Sequence, residues 1–336
     1  MVSKYGTFRA VMVSAGLIFG VGLLVLLINP QVGASPLRWG MEWPNTDFSK
    51  RSVEWNEILS GGPPKDGIPS IDDPRTESIS KIDNLTDTEP VIGLIINGKA
   101  RAYPLRILTW HEIANDELGG VPVTVTYCPP CNSSIAFDRR LDGRILDFRT
   151  TGKLRRSDMV MYDRQTESWW QQFIGEGISG EMTGKKLKII PTRLESFADF
   201  KKRAPHGDVL VPNVMSMRNY GANPYVGYDS SAFPFLYRGA MPKGINPMVR
   251  VVVVDEEAWS LPLLRDKGVV SRGDLKLRWR PGQNSALDTR TISEGRYVGN
   301  VVVQRGVGEA AKGVAYDVTF AFVNNAFYPD RVINTN

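Results

Sequence analysis

Two cysteines, Cys128 and Cys131, are the only thiols in a chain of 336 residues, and they stand three positions apart in the stretch TYCPPCNSS, residues 126–134. A pair at this spacing serves four chemistries: covalent haem attachment, dithiol redox exchange, soft-metal binding, or a small structural disulfide. Haem attachment requires histidine directly after the second cysteine, and Asn132 stands there instead, so no haem is expected. A thioredoxin-like centre places its pair where a strand runs into a helix, whose N-terminus lowers the pKa of the first thiol. Strand-like, hairpin-forming sequence follows Cys131 here, which weakens redox use of Cys128 and Cys131 without removing it.

The intervening Pro129 and Pro130 constrain the geometry. In a tight turn from Cys128 to Cys131, Pro130 occupies the third position, which favours a cis proline. In an extended polyproline stretch the two Cα atoms are about 9 Å apart, beyond the roughly 7 Å limit for a disulfide. Both geometries turn two sulfurs toward one locus, and only the first lets them join.

Candidate co-ligands are few. His111 is one of two histidines, and a helix opened by Pro104 and closed by Gly119 and Gly120 would carry Ile107, His111, Ala114 and Leu118 on its buried face. Met159 and Met161 share one face of a predicted strand, DMVMYD, with Asp158, Val160 and Tyr162 on the other. Two thiolates, an imidazole and thioethers form a soft donor set that selects copper. The metal-site reading is therefore His111, Cys128, Cys131, Met159 and Met161. The plainer readings are that the methionines fill core space and that the histidine is hydrogen-bonded to backbone.

The compartment follows from the first residues. Lys4 and Arg9 precede an apolar run at residues 10–28, and the next charge is Arg38. The run fits a cleavable signal peptide ending near Ala34. It is also long enough, at about 20 residues, to serve as an uncleaved membrane anchor. Either way the remainder is expected outside the cytoplasm, in the periplasm or at the cell surface, attached to or released from the membrane. The composition, 42% hydrophobic and 23% charged with a net charge of +5, describes an ordinary globular chain. No basic block interleaved with aromatics is present, so nucleic acid is not an expected partner, and no pattern identifies a protein partner.

The elements that must position these residues are mostly strands. Residues 35–70 read as an extended approach segment, rich in Pro, Gly, Ser and Asp, ahead of a single domain over 71–336. Asn97-Gly98 and Asp142-Gly143 each supply the positive backbone angles of a two-residue hairpin turn. Apolar, β-branched runs continue to the C-terminus, interrupted by one further predicted helix over 194–204 and ending in a strand, VAYDVTFAFV. The expected fold is mainly β with a few helices (α+β), an antiparallel sandwich or partly closed barrel. Residues 175–180 spell GxGxxG, but no crossover helix follows, so these glycines serve turns and no nucleotide cofactor is expected.

TYCPPCNSSIAFDR, LRRSDMVMYDRQTESWWQQ, GIPSIDDP and ARAYPLRILTWHEIAND together resemble domain-of-unknown-function family 3179, from about Gly61 to at least Pro212, with FAFVNNAFYPD similar to its closing segment. The resemblance implies an exported or anchored protein with a CxxC core. It marks His111, Cys128, Cys131, Asp158, Tyr162, Asp163, Arg164 and Trp169 as motif positions without giving them a chemistry. Three functions stay open: a copper or redox centre, a thiol-disulfide oxidoreductase, and a non-catalytic binding module. In the last, Trp169 and Trp170 would stack on a sugar or partner and Asp163 and Arg164 would anchor it.

Overall fold

The computed structural model describes residues 36–336. The apolar run at 10–28, with its signal or anchor reading, lies outside them. No helix among the described residues is long and apolar enough to cross a membrane.

The described residues form six antiparallel or mixed sheets, none closed into a barrel. Three of them build the neighbourhood of the cysteines. One orders Lys188–Ile190, Ser133–Asp138, Val121–Cys128, Ile113–Leu118 and Ile71–Asp72, the last pairing parallel. A second orders Ile58–Ser60, Phe148–Arg155, Asp158–Asp163, Trp169–Gln171 and Glu176–Ser179, all antiparallel. A third contributes Asp317–Phe320, paired with Arg250–Val254.

Turn chemistry decides much of this. Asn97 and Gly98 lie at φ 49° and 76°, and Asp142 and Gly143 at 49° and 75°, each pair joining strands in the expected hairpin. Gly119 and Gly120, at φ 58° and 78°, also make a hairpin turn, joining Leu118 to Val121. The helix expected through residue 118 is thus corrected. It spans Leu105–His111, Glu112 takes φ 57°, and Ile113–Leu118 continues as a strand. Gly-Gly stops a helix or turns a hairpin equally well, and the ladder to Val121–Cys128 decided it.

Other boundaries also moved. The second expected helix begins only at Phe197, because residues 192–196 pair with Pro90–Ile96 and Ser196 caps the helix through its Oγ. The final expected strand stops at Phe320 and becomes the helix Ala321–Phe327. Helices at Pro36–Glu42 and Leu261–Lys267 carry no strong periodic signal, being seven residues each.

The approach segment is built into the fold. Trp39 and Trp43 are buried against Trp169, Val160 and Tyr162, and Ile58–Ser60 forms an edge strand. At roughly 1.5–3 kcal/mol for each large apolar side chain removed from water, this tryptophan cluster fixes the outer face of the second sheet. Its inner face, with Met159, Met161 and Trp170, packs into an apolar cluster that also holds Cys128 and Cys131.

Candidate metal centre

Cys128 closes the strand Val121–Cys128 and pairs in register with Ser133, so Pro129 to Asn132 form the connection. Neither geometry expected for the two prolines is realised. Pro129–Cys131 is a single 3₁₀ turn closed by Asn132 N donating to Pro129 O at 3.1 Å. The turn therefore starts one residue later than expected and puts Pro130 at its second position, where the fixed φ of proline is favourable. Asn132 then takes φ 51°, tolerable for asparagine and held by its own side chain. Its Nδ2 donates to Val318 O at 2.8 Å, and its Oδ1 accepts from Tyr127 Oη at 3.4 Å.

The neighbouring strand locks the rest. Thr319 Oγ1 donates to Cys131 O at 2.8 Å. Asp317 accepts from Ser133 Oγ at 2.6 Å and from Ser134 N at 3.1 Å. Burial pushes the Asp317 carboxyl up to about 7 despite those donors.

Both thiols are free and fully buried, and both donate to one carbonyl, Ser157 O, from Cys131 Sγ at 3.4 Å and Cys128 Sγ at 3.9 Å. That carbonyl is presented by an unusual turn. Arg155 pairs with Asp158, and the two residues between them, Arg156 and Ser157, both have positive φ, 54° and 70°, with no glycine. Such backbone costs of order 1–3 kcal/mol per residue and persists where the surroundings enforce it. Here Arg156 pairs with Glu57 at 3.0 Å, and Ser157 Oγ donates to Phe235 O.

The next residue completes the centre. Asp158 Oδ1 accepts from Gln171 Nε2 at 2.5 Å and from Phe173 N at 2.9 Å, while Oδ2 is buried with no N–H or O–H donor, the carboxylate otherwise meeting the thiols of Cys128 and Cys131. One ligand atom from each of Cys128, Cys131 and Asp158 lies within 4.8 Å of the others. The alternation that assigned Asp158 to the face opposite the methionines fails at this position, the first of its strand, where the carboxylate reaches the sulfurs.

Burial shifts each ionisable group of the centre toward its neutral form. Burial pushes the Asp158 carboxyl up to about 6 and the Cys128 thiol up to about 11, and raises Cys131 well above the ordinary thiol range. Glu112, at the break after the Leu105–His111 helix, is pushed up to about 8, chiefly by burial. Its Oε1 accepts from Tyr225 Oη at 3.5 Å.

Tyr225 belongs to a strap, residues 212–249, that crosses the centre with only one short 3₁₀ turn, Tyr228–Ser230. Tyr228 Oη donates to Pro130 O at 3.0 Å and accepts from Phe235 N at 3.0 Å. Tyr237 packs on Phe322 with ring centroids 5.1 Å apart.

His111 does not join the three ligand atoms. Its Nδ1 is 2.8 Å from Pro69 O and its Nε2 is 2.8 Å from Tyr220 Oη. A carbonyl only accepts, so Nδ1 carries the proton and the Nε2 lone pair takes the tyrosine hydroxyl, leaving none for a metal. Burial lowers the pKa of this imidazole, consistent with that neutral form. The expected copper ligand is thereby corrected to a hydrogen-bonded core histidine. Met159 and Met161 do share the apolar cluster of the cysteines.

The remaining motif positions hold the scaffold. Tyr162 Oη donates to Asp66 at 2.8 Å. Asp163 accepts from Thr166 N at 2.7 Å and Trp170 Nε1 at 2.9 Å. Arg164 pairs with Asp72. Trp169 and Trp170 face opposite sides of their sheet, yet both are fully buried, so neither offers a stacking face to a ligand.

The residues that sequence reasoning missed are Glu112, Ser157, Asp317, Tyr225 and Tyr228. The one local signal was RRSD, four polar residues joining two apolar strands.

A family model described as Protein of unknown function (DUF3179) matches residues 65–331, which covers the cysteine motif and the closing segment alike. No curated protein and no solved structure matches the chain.

Proposed function

The chain belongs to the DUF3179 family of proteins of unknown function, and from its cysteine centre we propose that it is an extracytoplasmic protein holding a thiophilic metal ion. The ligands are Cys128, Cys131 and Asp158. The observation that carries this is the convergence of two free thiols and the Asp158 carboxylate within 4.8 Å of one another in one small buried locus. Weak S–H donors are all that face this side of the buried carboxylate, and a cation shared with the two sulfurs would compensate its burial far better.

Charge narrows the ion. Two thiolates and a carboxylate suit zinc, whose sites take sulfur and carboxylate oxygen together. Two thiolates with a neutral Asp158 suit copper(I), the softer ion, and Met159 and Met161 line the same cluster. Both complexes leave one net negative charge, so burial alone does not choose between them. The locus is closed over by the strap, which fits retention of an ion better than hydrolysis at an open coordination position. Binding displaces thiol protons from groups raised by burial, so uptake falls as pH falls.

Thiol-disulfide exchange is the second reading, favoured by two sulfurs sharing the Ser157 carbonyl. It requires a thiolate and access, and both thiols are raised and fully buried.

The test is metal content and spectroscopy on the purified chain. One equivalent of copper(I) or zinc is expected, with thiolate-to-metal absorption that vanishes in Cys128→Ser/Cys131→Ser. A wild-type chain that binds neither ion more tightly than this double variant eliminates the proposal. A measurable dithiol reduction potential in that metal-free protein would instead support exchange.

A further inference from the structure

A concavity of about 290 Å³ lies at the base of the strap, apart from the cysteines, and three arginines line it: Arg250, Arg265 and Arg296. Asp229 is the only carboxylate among the lining residues. Arg250 and Asp229 are both more than nine-tenths buried, and their bonding is lopsided. Asp229 Oδ2 takes Arg250 Nη2 at 3.1 Å, Arg296 Nη2 at 3.0 Å and Ser285 Oγ at 2.5 Å. Asp229 Oδ1 and Arg250 Nε, also buried, have no partner among the described residues.

The outer arginines are held differently. Among the described residues Arg265 pairs with its neighbour Asp266 at 3.2 Å, both exposed, whereas Arg296 is already drawn inward by its 3.0 Å pair with the buried Asp229 and reaches Asp288 at 3.9 Å. An exposed pair contributes little, so the Arg265 guanidinium is free to turn inward beside that of Arg296. The apolar part of the lining is Leu261, Pro262, Trp279 and Tyr297. Tyr297 is 69% exposed, an aromatic face at the mouth with nothing covering it.

We propose that this cavity binds a small organic anion, its oxyanion head on the arginines and a compact apolar or aromatic body against Trp279 and Tyr297. Guanidinium forks match the paired oxygens of carboxylate and phosphate, and the volume admits a body no larger than a single ring with its head group. None of its lining residues is a proposed ligand of the cysteine centre.

The test is calorimetric titration of the full chain with phenyl phosphate and benzoate, with inorganic phosphate as the head alone. Saturable binding of at least one organic anion is expected, at least tenfold tighter than inorganic phosphate and weaker at high salt. Arg265→Gln and Arg296→Gln should each weaken it about tenfold or more. Both side chains are about half or more exposed, and Arg250 still pairs with Asp229, so the variants should fold, as circular dichroism would verify. Absence of saturable binding, binding unchanged in Arg296→Gln, or phosphate binding as tightly as the organic anions would each overturn the proposal.

Discussion

Asp158→Asn separates the stability of the cysteine centre from its proposed chemistry. Asparagine keeps the shape and an oxygen for Gln171 Nε2 and Phe173 N, but removes the ionisable group. The wild-type carboxyl is raised from 3.8 to about 6 by burial. A carboxyl raised on folding contributes stability that is fully present below 3.8 and is lost as pH climbs through 6. At ~1.4 kcal/mol per pH unit, the wild type loses about 3 kcal/mol across this window that the asparagine variant does not. Denaturant unfolding in chelator at pH 4 and pH 7.5 should therefore show the variant gaining on the wild type by about that amount. Its metal affinity should fall in the same buffer, by tenfold or more. A variant that gains nothing between the two pH values refutes the buried-charge reasoning, and one that binds metal as tightly as wild type removes Asp158 from the ligand set.

Two further outcomes test the neighbours. Asn132→Ala and Asn132→Gly both lose the bonds to Val318 and Tyr127, but only alanine resists φ 51°, so Asn132→Ala should unfold about 1–2 kcal/mol more easily than Asn132→Gly. Equal midpoints would show that the turn backbone had rearranged. Tyr225→Phe and Tyr228→Phe each cut one tie between the strap and the centre, worth about 1 kcal/mol, and Tyr228→Phe also loses the bond from Phe235 N within the strap. Stopped-flow chelator challenge should show metal release about fivefold faster in each, and unchanged release rates would refute a gating strap.

The sequence made the sheet framework legible where Asn-Gly or Asp-Gly marked a two-residue turn, at Asn97-Gly98 and Asp142-Gly143. It misled where one dipeptide serves two purposes. Gly119-Gly120 satisfied a helix stop as well as a hairpin, and spacing alone does not weigh the ladder to the cysteine strand. The cysteine pair announced itself by rarity. Its partners did not, because they come from far along the chain: Asp317 meets Ser133 across 184 positions, and Tyr225 meets Glu112 across 113. His111 was correctly expected to be buried, but its partners, Pro69 O and Tyr220 Oη, lie 42 positions before and 109 after it. Ser157 stayed hidden because its turn lacks the glycine that usually marks such angles.

The strap over the cysteines carries its own timescale. It has almost no ladder hydrogen bonds, and it turns Met215, Met217 and Phe233 outward, each 47–70% exposed. Segments of this kind open far more often than the sheets beneath them. For the metal site proposed here, residence time would be set by how often these few tyrosine ties let go together, so chains with equal affinity would load and unload at quite different speeds.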